Sequence, residues 1–223
     1  MGGGCHPRGT VTTSLDLFAI QPRVTLDDYA SQETFASHHR ALAARADALR
    51  PRDASGRPLN PALAVWPEMV GAALGLMGHL SRVRRRKTTN GAMTRVALAE
   101  WPGMFRTWSA FHPPTLEECL YATVAPRVHR AMYETFSGIA RDFGLWVVAG
   151  SALLPTNRLG PDTPEYEPAG ARTFNTSYTF SPDGRCVGVT RKVNLVPTQE
   201  DVLHLSPGRP PAPRPGTPLR RAP

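Results

Sequence analysis

Lysine is nearly absent from this 223-residue chain: Lys87 and Lys192 are the only two among 26 basic residues, the rest being arginine. Cysteine is almost as scarce. Cys5, Cys119 and Cys186 form no CxxC pair and are too few for a disulfide scaffold, which fits a reducing compartment. The longest apolar stretch, Val70 to Leu80, spans 11 residues, well short of the about 20 needed to cross a bilayer, so no membrane association is expected. The amino terminus, MGGGCHPRGT, has no apolar core ahead of a small-residue cleavage site; with no secretory signal to read, a cytoplasmic location is the simplest expectation. HExxH, Cys/His pairs at zinc-ligand spacing, GxSxG, a P-loop and GxGxxG after a strand are all missing. No metal or cofactor is therefore expected, and serine-hydrolase, nucleotide and dinucleotide readings have little support.

What the sequence does have is charge, and the charge is clustered. The net value of +8 comes from the run Arg82, Arg84, Arg85, Arg86, Lys87 and from four arginines after Ser206; the remainder is close to neutral. A neutral body with two basic segments, and no zinc-finger, RNP-like or heptad pattern beside them, counts against a nucleic-acid partner.

The pattern along the chain is that of an α/β domain. Residues 1–14 are Gly-rich, polar and expected to be disordered. Leu15 to Gln21 reads as a short strand, and a helix follows from Asp27 to Pro51. Ala62 to Trp66 is a second short strand, ended by Pro67. Val70 to Leu80 reads as a helix or part of one, and from Leu116 to Phe143 apolar residues recur at spacings of three and four. The Val-, Leu- and Trp-rich segment between Gly144 and Pro155 reads as a buried strand. Asp183-Gly184 between two strand-like runs signals a hairpin. The order implies helices covering a sheet over residues 15–205, followed by a Pro- and Arg-rich tail, 206–223, that cannot pack.

Two residues stand where chemistry is usually placed. Glu68 follows a short buried strand, at the kind of strand end where α/β proteins build their sites. Lys192 ends the return strand of the hairpin, with Glu200 eight positions later. An edge-strand lysine is ordinarily a solvated one; its rarity in this chain gives it weight, because an arginine fork cannot replace a compact ammonium beside a developing charge. Cys186, on a hairpin strand with no histidine near in sequence, reads as a small packing residue rather than a nucleophile, and Cys119 inside the long helix reads likewise.

Taken in order, LFAIQP, LAVWPEMVG, GIARDFGLWVVAGSALL and FNTSYTFSPDGRCVGVTRKVNLVPTQE resemble successive signature segments of the nitrilase superfamily, the carbon–nitrogen hydrolases, over most of residues 15–208. The resemblance implies a four-layer α-β-β-α sandwich, often paired into homo-oligomers. It also implies hydrolysis of non-peptide carbon–nitrogen bonds in small amides or nitriles by a Glu-Lys-Cys triad. Glu68 would be the general base, a carboxylate of raised pKa in an enclosed pocket. Lys192 would stabilise the oxyanion, and Glu200 would be the second glutamate that holds lysine and substrate.

The family's nucleophilic cysteine lies on an elbow roughly thirty residues or more beyond the lysine. No cysteine follows Cys186 here. The expectation is thus a carbon–nitrogen hydrolase truncated before its nucleophile, with an α/β sandwich incomplete at the C-terminal end and no activity as this chain. The alternative is a non-catalytic interaction module that binds acidic partners through the basic run and tail.

Overall fold

The computed structural model describes residues 14–84, 88–196 and 203–210. Expectations for the amino terminus, for Arg85 to Lys87 and for most of the basic tail fall outside these. Among the described residues five strands form one sheet in the order β1-β2-β3-β4-β5: β1 Asp16–Ala19, β2 Ala62–Val65, β3 Trp146–Leu154, β4 Phe174–Phe180 and β5 Cys186–Arg191. β1–β2 and β2–β3 pair in parallel, and β3–β4 and β4–β5 pair antiparallel. The parallel pairs need long crossovers, and the chain supplies helices for them.

The first crossover contains α1, Gln32–Ala48, which starts at a capping box in which Ser31 Oγ accepts from the Thr34 amide. The second contains α2 (Leu80–Val83), α3 (Thr89–Ala99), α4 (Trp101–Phe111) and α5 (Leu116–Phe143). Helix α5 begins at the Thr115 cap, where Oγ1 accepts from the Glu118 amide, and carries Glu117 and Glu118 in its first turn. It ends on Gly144, whose φ of 60° a side chain would resist. Helices α1 and α5 pack on each other and α5 packs on β3. Phe35 and His39 of α1 meet Trp66 and Phe136 with ring centroids 4.4–6.4 Å apart. This aromatic knot joins the helix layer to the end of β2.

Apolar spacing of three and four marks α5, while apolar or β-prone composition bounded by turn and breaker residues marks the strands. Val70 to Leu80 forms only a 3-10 turn, Ala72–Leu76, before α2; Gly71, Gly75 and Gly78 weaken a regular helix there. Helices α3 and α4 went unread: α4 leaves Trp101, Phe105 and Trp108 exposed, so its periodicity does not mark a buried stripe.

One sheet face lies under α1 and α5. The other is not covered by the described residues: Leu17, Val65 and Trp146 stay 67%, 38% and 40% exposed. Register places Leu17 opposite Leu63, and Leu63 opposite Trp146, on that same open face. One helix layer on one sheet is half of the expected four-layer sandwich. At the far edge the chain does not leave the sheet abruptly near 205: the Ser206 amide donates to Thr173 O and the Gly208 amide to Lys192 O, each at 2.8 Å.

Candidate active site

Glu68 is positioned from its backbone outward. Trp66, just beyond β2, is buried, and its indole Nε1 donates to His39 Nδ1 at 3.1 Å. Its own amide donates to Val148 O at 2.9 Å, which extends the β2–β3 pairing to the edge of the turn. Pro67 cannot donate to a ladder and ends the strand. Met69 then takes φ 64° and donates its amide to Ser151 Oγ at 2.8 Å. Beneath this turn β3 bulges between Val148 and Ser151. Gly150 in the bulge has φ 65°, and a Cβ there would lie 2.2 Å from Pro67 O. Only glycine allows the two backbones to approach so closely.

Lys192 arrives from the other side of the sheet, directly after β5. Its amide donates to Asn175 O at 3.0 Å. Its ammonium Nζ donates to Glu68 Oε1 at 2.9 Å, across 124 positions of sequence. The same oxygen accepts from Asn175 Nδ2 at 2.6 Å. A two-donor grip on one carboxylate oxygen fixes its orientation and leaves Oε2 for other partners.

The group sits at an open cavity of about 260 Å³ on the uncovered sheet face, bordered by Val148, Ser177 and Thr190. The Glu68 side chain retains 52% of its exposure and that of Lys192 27%. The enclosure expected around the carboxylate is therefore not provided by the described residues. Glu200 lies outside them, so its expected role beside Lys192 has no geometry here.

Neither described cysteine reaches this pair. Cys119 is buried in α5, its thiol bonded to Met104 O, and burial pushes its pKa up. Cys186 begins β5, at the end of the strand opposite Lys192; burial raises its pKa too. Among the described residues no group of three or more His, Cys, Asp or Glu side chains could hold a metal ion, and no helix is long and apolar enough to cross a membrane.

Asn175 is the member that sequence reasoning passed over. It stands in FNTSYTF, a strand whose only legible signal is its β propensity. An asparagine that is 3% exposed in such a strand needs a partner, a requirement that burial reveals and the sequence does not.

The family model for carbon–nitrogen hydrolases matches residues 82–218. A match over more than half the sequence establishes that the chain belongs to the carbon–nitrogen hydrolase family. The matched range includes Lys192 and begins after Glu68. No curated protein matches it. Among solved structures it is similar to a carbon–nitrogen hydrolase from Helicobacter pylori G27, at 15% identity and TM-score 0.44, over 87% of this chain and 45% of that one. It is also similar to a cysteine-to-serine mutant of an amidase from Nesterenkonia AN1 of the nitrilase superfamily, at 19% and 0.46, over 92% and 53%. A third is Saccharomyces cerevisiae Nit3, of branch 10 of that superfamily, at 16% and 0.39, over 87% and 47%. The chain spans about half the length of these structures.

Proposed function

We propose that this chain carries the base-and-ammonium half of an active site that hydrolyses small amides or nitriles, and that none of its own cysteines, Cys5, Cys119 or Cys186, is the attacking thiol. The observation that supports it is the contact of the two candidate residues: Glu68 and Lys192, chosen for their places at two strand ends, meet at 2.9 Å. Family membership supports the reaction class.

In this reading Glu68 takes the proton of the incoming thiol, and the thiolate adds to the carbonyl or nitrile carbon. With an amide, negative charge then develops on the carbonyl oxygen, and the Lys192 ammonium faces it as a point charge able to follow it. The amine leaves with a proton returned by Glu68. The resulting thioester is hydrolysed by water that Glu68 deprotonates in its turn. Asn175 keeps the carboxylate aimed throughout, and Glu200 is proposed to hold the lysine and the substrate.

The reading is tested with the 223-residue chain and a panel of aliphatic amides and nitriles, followed by ammonia release. The expected result is none. Ammonia release abolished by Lys192→Ala would place the nucleophile within these residues and overturn the assignment of the thiol.

A further inference from the structure

Strand β5 alternates its side chains between two cavities. Thr190 and Lys192 face the Glu68 site, whereas Val189 and Arg191 face a separate open cavity of about 800 Å³. Three guanidiniums line that second cavity: Arg172 from the segment before β4, Arg191 from the end of β5, and Arg209 from the strand-edge segment after it. Among the described residues no Asp or Glu lines it, and none of the three arginines makes an ion pair. Elsewhere the chain pairs its arginines readily, as in Arg40 with Asp142 and Arg158 with Glu167.

Arg172 and Arg191 are held in place by their neighbours, and Arg209 is exposed. The Arg191 guanidinium lies 4.2 Å from the Phe174 ring centroid, and Arg172 lies 5.8 Å from that centroid. Arg191 Nη2 donates to Thr156 Oγ1 at 2.9 Å, while its Nε is buried without a hydrogen-bond partner. Arg172 Nε reaches Ser206 Oγ at 3.4 Å. Like charges gathered around one hollow repel each other, and ring stacking with one hydroxyl does not neutralise them. A planar fork with unused donors matches the oxygens of a phosphate or carboxylate.

We propose that this cavity is a binding site for a small multivalent oxyanion, bearing phosphate or carboxylate groups that bridge Arg172, Arg191 and Arg209. The site is distinct from the Glu68–Lys192 cavity; β4 and β5 contribute to both, with no lining residue in common. Ala169, Gly170 and Ala171 also line it and present little side-chain bulk to the ligand.

The test is calorimetric titration of the full chain at low ionic strength with pyrophosphate and, separately, with citrate. Binding of either probe is expected, and the tighter of the two identifies the oxyanion. Arg172→Gln with Arg209→Gln should weaken it by about tenfold or more, the loss expected when charge-assisted forks are removed. Arg209→Gln alone, at an exposed side chain with no hydrogen bond among the described residues, should weaken it in the same direction with an unchanged circular dichroism spectrum. Arg220→Gln with Arg221→Gln removes as much charge elsewhere in the sequence and should leave affinity within about twofold. Binding of neither probe, or equal weakening by the Arg220/Arg221 pair, overturns the site.

Discussion

Asn175 holds Glu68 and Lys192 at once: its side-chain amide donates to Glu68 Oε1 at 2.6 Å, and its carbonyl accepts from the Lys192 amide at 3.0 Å. One strand residue thereby sets both the direction of the carboxylate and the height of the lysine backbone. Replacing Asn175 with Leu removes a hydrogen bond to a charged group and should destabilise the fold by about 1–2 kcal/mol, a fall of several degrees in melting temperature.

Lys192→Met should behave differently. The ion pair is partly exposed, and such pairs are worth about 0–1 kcal/mol, so chemical denaturation should move little. A stability loss well above that range would mean that the pair is chiefly structural.

Gly150→Ala should be among the most damaging single changes in the chain. The residue has positive φ, and the added methyl would meet Pro67 O at 2.2 Å; strain and collision together should cost about 3 kcal/mol or more. Gly56→Ala is the control. Gly56 also has positive φ but nothing within 4 Å of the new Cβ, so a loss of about 1 kcal/mol in urea unfolding is expected.

Stability should fall on mild acidification. Burial, reinforced by His38, holds the pKa of His39 down to about 4, against an ordinary 6.5. His39 must stay neutral to accept from Trp66. The unfolded chain takes up this proton near 6.5 and the folded chain only near 4, so the contribution is complete above pH 6.5 and is lost as pH falls through that window. Its size is about 3 kcal/mol by pH 4. Burial lowers the His129 pKa as well, adding in the same direction. Unfolding measured at pH 7.5 and 5.0 should show the loss, and His39→Gln should flatten it.

The described thiols should be inert. With Cys119 and Cys186 buried and their pKa values raised, iodoacetamide at pH 7.5 should label both only after denaturation. Rapid labelling of native Cys186 would reopen it as a nucleophile.

Much of the architecture was legible because its signals are local. Pro67 stopping β2, Asp183-Gly184 turning the hairpin, and the apolar spacing of α5 each act within a few residues. Glu68 and Lys192 were legible as candidates, but their contact depends on a crossover and a β3 bulge that no local pattern encodes. Asn175 was invisible because its role depends on a partner 107 positions away. Helices α3 and α4 were hidden by apolar side chains that stay on the surface. The open sheet face follows from the expectation of an incomplete sandwich, but which residues it exposes does not, since Leu17, Val65 and Trp146 look like core residues in sequence and are exposed among the described residues.

The most direct test of the Glu68–Lys192 assignment is to read the DNA beyond codon 223 in every frame, express the chain with the cysteine-bearing segment found there, and follow ammonia release from amides. The predicted result is hydrolysis that Glu68→Gln and Lys192→Met each lower by about a hundredfold or more, as expected for a lost proton acceptor and a lost oxyanion partner. An extended product whose hydrolysis is indifferent to both substitutions would contradict it.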